Sequence, residues 1–292
     1  MKRSIYEVIT NQIVRAIEEG AATYQMPWHR VSADITCPIN VVSGRGYRGL
    51  NVISLWMIAQ ANCFQSGTWA TYQQWQEKGA QVRKGEKSAT VFSWKKLERD
   101  QDGELDFGTG DRGQHFVAKA YHVFNAEQVD RYEPQNVPQL SEEARDEAAE
   151  RFFRSIPANV SEGGDVACYE PGADIVCMVP FGQFKEAAGY YAVLAHELTN
   201  WTGAKSRLDR DLSGRFGSEA YAMEELVAEL GAAFVARQLG LPSDPRIDHA
   251  PYIANWLKVL KNDSRAIFAA AGKAHAAADY LAAFSAAESE PG

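Results

Sequence analysis

An α+β architecture in two domains is predicted for this 292-residue chain by three observations. Short runs rich in aromatic and β-branched residues dominate the first half, as is typical of strands. Long runs with helical spacing of apolar residues dominate the second half. A polar stretch with two prolines, residues 131–143, separates the halves and is typical of a linker. The predicted domains are therefore 1–130 and 144–292.

The first half begins with an amphipathic helix and continues into a hairpin. Apolar residues from Ile5 to Ile17 recur at helical spacing among polar ones, so this start is not a signal peptide. The runs 88–97 and 115–126 have strand character, and we expect them to pair across the acidic, glycine-rich loop 98–114. No run approaches the roughly 18 apolar residues of a membrane span, so no membrane partner is expected.

The second half is mainly helical, with two short strands near its start. The predicted helices share long apolar periodicity and cover 141–155, 183–200, 218–239, 250–262 and 264–287. Two shorter apolar runs, 165–170 and 173–180, predict strands. The resulting order is a strand, a helix with a reactive motif, a loop and a helix with two glutamates.

Charge is distributed unevenly along the chain. The total is −8, but residues 1–99 carry +6 and residues 131–292 carry −9. A basic first third followed by an acidic remainder indicates a polyanionic partner for the first part alone.

The cysteine pattern gives no metal or disulfide framework. Cys37, Cys63, Cys168 and Cys177 are widely spaced and form no C-x-x-C pair. We expect them to be reduced core thiols of a cytoplasmic protein.

The stretch YYAVLAHELTNWTG, residues 190–203, differs by one residue from the H-E-x-x-H motif of zinc metallopeptidases. His196 and Glu197 are in place, and Asn200 occupies the position of the second histidine. On a helix, residues four apart share a face, so the full motif presents two imidazoles to one metal, with the glutamate beside the attacking water.

Glu225 and Glu229 are the candidates for a further ligand from a later helix. They are four residues apart in an otherwise apolar helix, where carboxylates need partners or a metal because buried charge is costly. The alternative is a solvated edge or ion pairs with Arg207 or Arg210.

Asn200 decides which metal the site would take. An amide oxygen is a neutral, hard ligand, whereas Zn²⁺ prefers imidazole or thiolate. We therefore expect a weakened or empty Zn²⁺ site, or a site that favours a harder ion such as Mn²⁺ or Mg²⁺.

The basic first third interleaves cations with aromatic rings. This combination binds single-stranded nucleic acid, because cations follow the backbone and rings stack on bases. The alternative is that most of these rings are core residues. The loop 81–88 is the sharper signal, since it places three cations around a glycine. The candidate contacts are Arg45, Tyr47, Arg48, Trp69, Tyr72, Trp75, Arg83, Lys84, Lys87, Trp94 and Lys95.

Taken together and in this order, the two halves resemble the ArdC-type antirestriction proteins of conjugative plasmids and the related TraC primase family. In the first half the resemblance rests on YRGLN at 47–51, W-x-T-Y-x-Q-W at 69–75 and GAQVRKGEKS at 79–88. In the second half it rests on residues 190–203, followed by RLDR and EELVAEL. It covers nearly the whole chain.

The resemblance implies an N-terminal α+β domain that binds single-stranded DNA and a C-terminal α+β domain of the zincin-like metallopeptidase type. It implies that His196 is the first metal ligand and Glu197 the general base. It implies that Glu229 or Glu225 is the third ligand, and we prefer Glu229. The implied role is protection of incoming conjugative DNA from host restriction.

The departure at Asn200 leaves open whether the chain is an enzyme. One expectation is an antirestriction protein that binds single-stranded DNA and whose metallopeptidase-like half has no proven activity. The alternatives are an active DNA-dependent metalloprotease that cleaves DNA-bound proteins, and a structural partner in which both sites are vestigial. A host restriction enzyme or another DNA-bound protein is a further candidate partner.

Overall fold

The computed structural model describes residues 5–20, 38–62, 64, 66–96, 116–133, 142–163, 166–184, 186–212, 214, 218–241 and 250–287. The chain divides into two compact units. The larger unit comprises Met1–Cys37, Arg48–Ile53 and Asn136–Gly292, and the smaller unit comprises Pro38–Tyr47 and Ser54–Gln135. None of the described helices is both long and apolar enough to cross a membrane.

The first helix belongs to the larger unit, although the sequence suggested a domain over 1–130. This helix, α1 (Ile5–Gly20), packs against α7 (Ala250–Asn262) through buried residues such as Ile13 and Ile17. Thr10 Oγ1 also donates a hydrogen bond over 2.7 Å to the backbone carbonyl of Ser264, 254 residues later in the chain. The linear sequence carries no sign of this distant partner.

The smaller unit is built on a four-stranded sheet of order β1-β2-β5-β4. Strands β4 and β5 pair in antiparallel register along their full length, so the predicted hairpin is confirmed. The intervening loop 98–114 lies outside the described residues. The described elements of this part are β1 (Ile39–Asn40), α2 (Leu50–Ala61), β2 (Thr68–Thr71), α3 (Tyr72–Glu77), β3 (Gln81–Val82), β4 (Ala89–Lys96), β5 (Phe116–Asn125) and β6 (Val129–Asp130).

Apolar side chains cover both faces of this sheet. Successive strand residues point to opposite faces, and Trp69 and Ala70 therefore enter different cores. Trp69 packs with residues of α2, whereas Ala70 packs with Trp75 of α3. Helix α3 begins where it does because Thr71 and Gln74 form a capping box.

The larger unit is mainly helical, and its five predicted C-terminal helices are confirmed to within a few residues. Its three-stranded sheet has the order β7-β9-β8, with β7 parallel and β8 antiparallel to β9. Strand β7 was not predicted from the sequence, because all four of its residues are exposed and form no apolar pattern. The remaining elements are α4 (Glu142–Ser155), β7 (Asn159–Glu162), β8 (Cys168–Glu170), β9 (Ile175–Met178), α5 (Ala187–Thr202), α6 (Glu219–Gln238) and α8 (Ala266–Ala287).

Helices α5 and α6 approach closely at one glycine. A Cβ atom at Gly231 would lie 2.5 Å from Thr199 Cγ2 and 2.6 Å from Thr199 Oγ1. Thr199 is fully buried, and its hydroxyl donates a hydrogen bond to the Ala195 carbonyl over 2.7 Å. This contact sets the distance between the two helices that carry His196 and the two glutamates.

Candidate functional site

Two arginines that follow α5 hold the end of this helix. The last carbonyls of a helix have no partner within it. Arg207 Nε donates to the Trp201 carbonyl over 2.6 Å, and Arg210 Nη2 donates to the Thr199 carbonyl over 2.6 Å. Arg210, whose side chain is 4% exposed, also forms an ion pair with Glu224 at the start of α6. The RLDR stretch therefore fixes α5, which carries His196, against α6.

His196 lies between the two glutamates of α6. Its Nδ1 is 3.0 Å from Glu229 Oε1, and its Nε2 is 3.6 Å from Glu225 Oε2. The His196 and Glu229 side chains are each 5% exposed, and that of Glu225 is 14% exposed. When Nδ1 donates its proton to a carboxylate, the lone pair lies on Nε2, the nitrogen through which such a histidine binds a metal.

Glu197 and Asn200 line the same cavity, which has a volume of about 350 Å³. Glu197 Oε2 accepts the Tyr169 N–H over 3.0 Å and the Asn200 Nδ2–H over 3.4 Å. Asn200 Oδ1 is buried and has no hydrogen-bond partner among the described residues. A buried polar oxygen without a partner is costly unless something binds it.

These donors fit a divalent metal ion. His196 Nε2, the Glu225 carboxylate and Asn200 Oδ1 offer one nitrogen and two kinds of oxygen ligand at one cavity. No group of three His, Cys, Asp or Glu side chains in the described part could hold a metal. The third donor here is an amide, so the set suits a harder ion such as Mn²⁺ better than Zn²⁺.

Glu225 and Glu229, the two ligand candidates from the sequence, lie at different nitrogens of His196. Glu229 already accepts a hydrogen bond from the far nitrogen of His196, the position from which carboxylates orient metal-binding histidines. Glu225 faces the other nitrogen, Nε2.

Sequence reasoning missed the strand residue that contacts Glu197. Tyr169 lies on the edge strand β8, and its hydroxyl hydrogen-bonds with Asp174 over 2.9 Å. Arg207 Nη2 donates to the same hydroxyl over 3.0 Å, and its guanidinium lies 4.0 Å from the centre of the Trp201 ring. The Arg207 hydrogen bond lowers the pKa of Asp174 below its usual value. The contact to Glu197 is made by the backbone N–H of Tyr169, which every residue except proline has, so the sequence does not indicate it.

The ion pairs proposed as an alternative for the two glutamates do not form. Among the described residues, Arg207 pairs with Asp174 and Arg210 pairs with Glu224. Glu225 and Glu229 instead face His196.

Two of the predicted stacking rings are core residues. Trp69 is 1% exposed and Trp75 is 0% exposed, and Trp75 Nε1 donates to the Phe124 carbonyl over 3.0 Å. The prediction that they stack on bases is wrong, because no base can reach them. Tyr47 is partly buried against the same core as Trp69, and burial raises its pKa. The Tyr72 ring is 44% exposed.

The predicted cations also separate into different groups. Arg48 belongs to the larger unit and pairs there with Asp279, whereas Arg45 is exposed in the smaller unit. The side chains of Trp94 and Lys95 lie outside the described part. The structure therefore does not join all of these candidates into one surface.

The turn between β3 and β4 presents two lysines on a fixed backbone. Arg83 binds Glu86 over 3.0 Å and donates to the Glu127 carbonyl. Gln128 Nε2 donates to the Lys87 carbonyl over 2.9 Å, which fixes the other end of the turn. Gly85 has φ of +91°, which favours glycine. The Arg83 guanidinium is thus engaged by the Glu86 carboxylate and the Glu127 carbonyl.

Lys84 and Lys87 are exposed and have no acidic partner in the part of the chain that the structure describes. Lys84 lines an open groove of about 560 Å³ together with Tyr72 and Gln81. Gln81 Nε2 donates to the Tyr72 hydroxyl over 3.0 Å and holds the ring in place. The groove combines cations with an exposed ring, and the acidic residues Glu86 and Asp130 also line it.

Comparison with known proteins assigns a family to each half of the chain. Residues 3–124 match the family described as the N-terminal domain of the anti-restriction factor ArdC, and residues 147–273 match a family of zincin-like metallopeptidases. Over 282 residues the chain is 49% identical to protein y4eC of Sinorhizobium fredii (strain NBRC 101917 / NGR234). The aligned region covers 95% of this chain and 91% of that protein.

The chain is also 36% identical to two DNA primases TraC of Escherichia coli. The aligned regions cover 97% of this chain but only 20% and 27% of the primases. The crystal structure of the antirestriction protein ArdC from plasmid R388 superimposes with a TM-score of 0.79 in its metal-free form, at 36% identity, covering 98% of this chain and 99% of that one.

The Mn(II)-bound structure of the same protein gives a TM-score of 0.79 at 38% identity, covering 97% of this chain and 99% of that one. Identity above one third over nearly the full length of both chains, with the same fold, establishes the relationship. The chain belongs to the ArdC family of antirestriction proteins, with a zincin-like domain in its second half.

Proposed function

We propose that this chain protects DNA from restriction by binding it as a single strand on the smaller unit. The observation that carries this proposal is the turn between β3 and β4, where Lys84 and Lys87 project from a braced backbone beside the Tyr72 groove. Lysines without an acidic partner attract phosphates, and an exposed ring stacks on a base. The TraC primases and the R388 ArdC protein, by their names, work on DNA or against its restriction, which supports the same role here.

The binding surface in this proposal is smaller than the sequence suggested. It consists of Tyr72, Lys84 and Lys87, with Arg45 as a further exposed cation. Arg83 and Gln81 hold the turn and the ring in position. Stacking on one ring contributes about 1–3 kcal/mol, so the phosphate contacts supply much of the affinity.

The test is fluorescence anisotropy with labelled single-stranded and duplex oligonucleotides over a series of salt concentrations. The Lys84→Ala/Lys87→Ala variant should weaken single-strand binding and reduce the salt slope by about 1.4, since each lost phosphate contact removes about 0.7. The matched control is Lys258→Ala/Lys273→Ala, which makes the same charge change on helices of the larger unit. Equal loss in both variants would contradict the assigned surface.

Variants at Tyr72 distinguish the contribution of base stacking from that of the phosphate contacts. Tyr72→Ala should cost about 1–3 kcal/mol of single-strand affinity without changing the salt slope. Tyr72→Phe keeps the ring and should bind nearly as the parent does. If Tyr72→Ala binds like the parent, this ring does not touch DNA.

A second candidate function is metal-dependent peptide hydrolysis in the larger unit. The observation that favours it is the donor set of His196 Nε2, Glu225 and Asn200 Oδ1 beside Glu197. A bound divalent ion would act as a Lewis acid on water and on a peptide carbonyl. The Glu197 carboxylate, held by the Tyr169 amide, would take the proton from water.

The two functions differ in what the Glu197→Gln variant does in a restriction-protection assay. This substitution removes the base and keeps the shape of the side chain. Protection at the parental level would assign the role to DNA binding alone. Lost protection with unchanged single-strand affinity would assign it to hydrolysis.

A further inference from the structure

Two cysteines face each other across the sheet that borders the metal cavity. Cys168 on β8 is directly opposite Cys177 on β9 in the antiparallel register. Both are free thiols. The expectation of core thiols is wrong for this pair, since Cys168 is exposed and Cys177 is only partly buried. Cys37 and Cys63 lie outside the described residues.

The pairing geometry suits a disulfide. The Tyr169 N–H points to Glu197 on α5, away from β9, so the Tyr169–Val176 pair takes a non-hydrogen-bonded position in the β8–β9 ladder. The neighbouring Cys168–Cys177 pair therefore takes the hydrogen-bonded position, where Cα atoms lie about 5.5 Å apart. Disulfides span Cα separations of about 4.4–6.8 Å, so this Cα separation lies within the range that a disulfide bridges.

The two thiols differ in access. Cys168 lines the same cavity as Glu197 and is open to a dissolved reagent, whereas Cys177 is partly covered. Burial, followed by the neighbouring Cys177 and Glu197, raises the pKa of the Cys168 thiol. Its thiolate is therefore scarce at neutral pH, and exchange accelerates as the pH rises.

We propose that Cys168 and Cys177 are a redox modification site, which a small-molecule disulfide converts into an intrachain disulfide. The Cys168 thiolate attacks one sulfur of the reagent, forms a mixed disulfide and releases the first reagent thiolate. The Cys177 thiolate then attacks the Cys168 sulfur and releases the second. Two protein thiols are oxidised and one disulfide is reduced to two thiols, while the protons pass through solvent to the released thiolates.

The disulfide is linked to the cavity through Tyr169, which lies next to Cys168. Opposite residues in antiparallel strands have Cβ atoms about 4.5–5.5 Å apart, whereas a disulfide holds them at about 3.5–4.5 Å. Closing the bond draws β8 towards β9 and away from α5. The 3.0 Å hydrogen bond from the Tyr169 amide to Glu197 then lengthens. This consequence for metal binding rests on the proposed metal site, whereas the disulfide itself does not.

The disulfide is tested in a Cys37→Ser/Cys63→Ser background, which leaves only the facing pair. The protein is incubated with oxidised glutathione at about pH 8.5, blocked by alkylation and mapped without reduction. We expect no free thiol, one peptide pair that links Cys168 to Cys177, and recovery of both thiols with dithiothreitol. Adding Cys177→Ser should leave a glutathione adduct on Cys168. Two persistent free thiols, two stable adducts on one chain, or links only between chains would overturn the proposal.

Coupling to the cavity is tested by titrating Mn²⁺ into the reduced and oxidised forms and following free Mn²⁺ by electron paramagnetic resonance. We expect a change in Kd of about threefold or more that dithiothreitol reverses, as lost support of cavity groups weakens metal binding. The same treatment of the Cys177→Ser control should not change the Kd for Mn²⁺ in this way. Equal Kd values in both forms would overturn the coupling. Absence of Mn²⁺ binding in both forms would refute the proposed metal site and leave the disulfide to the mapping result.

Discussion

His196 and Glu229 share a buried hydrogen bond between helices α5 and α6. The imidazole Nδ1 lies 3.0 Å from the carboxylate Oε1, and both side chains are 5% exposed. This bond orients the ring so that Nε2 faces Glu225 across 3.6 Å. The two glutamates therefore differ in position although they share a helix face: Glu229 lies at Nδ1 of His196, and Glu225 lies at Nε2.

Glu225 and Glu229 should differ in their effects on metal affinity. Glu229→Gln removes a carboxylate that orients His196, which should weaken Mn²⁺ binding by about 10- to 100-fold. Glu225→Gln removes a direct ligand and should weaken it by more than about 100-fold. Isothermal titration calorimetry of both variants measures the difference. The reverse order would assign the ligand role to Glu229.

Asn200→His should change which metal the cavity prefers. The substitution replaces a hard amide oxygen with an imidazole, which Zn²⁺ binds more strongly. We expect competition titrations to show a gain in Zn²⁺ affinity relative to Mn²⁺. Asn200→Ala is the matched control, since it removes the oxygen without adding a ligand, and it should weaken both metals. No gain of Zn²⁺ in Asn200→His would mean that position 200 does not face the ion.

Gly231→Ala should disturb the contact between α5 and α6. The new Cβ would meet the buried Thr199 side chain at 2.5 Å, and overpacking of this kind costs about 1–3 kcal/mol. Urea unfolding measures the loss. Gly272→Ala on α8 is the control, because nothing lies within 4 Å of its added Cβ, and it should be neutral or stabilising.

Thr199→Ala should relieve that strain. The Gly231→Ala/Thr199→Ala variant lacks the two nearest atoms, Cγ2 and Oγ1, and keeps only the residue 199 Cβ at 3.1 Å, so the two substitutions should cost less together than the sum of their single effects. Strictly additive costs would show that the helices do not meet at this position.

His275 should make the larger unit less stable in mild acid. Burial, then the nearby Arg48, lowers its pKa below the usual 6.5, while Asp279 opposes and Arg237 adds to the effect. The unfolded chain takes up a proton near pH 6.5, and the folded chain does so only at lower pH. The contribution of His275 to the unfolding free energy should thus fall as the pH drops from about 6.5 to the folded pKa, and this contribution should change no further below it.

The replacement His275→Leu removes this titration. The difference in unfolding free energy between about pH 8 and pH 5.5 should be smaller in the variant than in the parent. Urea unfolding at the two pH values checks it. An equal or larger difference in the variant would show that His275 is not kept neutral by the fold.

The sequence predicted the elements of the larger unit well because their signals are local. Apolar periodicity sets the helices near their observed bounds, and the H-E pair with two later glutamates identified the helices of the cavity. It could not predict that Tyr169 supplies a backbone amide to Glu197, because that contact depends on strand pairing and not on residue type.

The smaller unit shows the opposite limit. The order of aromatic and basic residues in the sequence does not show which side chains enter the core and which lie on the surface, because strand pairing decides this. Trp69 and Tyr72 lie three residues apart, yet one enters the core and the other is 44% exposed. The same holds for Arg83, which binds the Glu86 carboxylate and the Glu127 carbonyl, while Lys84 beside it is exposed.

The metal centre is tested most directly by anomalous diffraction at the manganese absorption edge from crystals soaked in Mn²⁺. The predicted result is one ion bound by His196 Nε2, a Glu225 carboxylate oxygen and Asn200 Oδ1, with Glu229 still hydrogen-bonded to His196 Nδ1. An ion bound through Nδ1 or Glu229, or no ion in this cavity, would contradict the assignment.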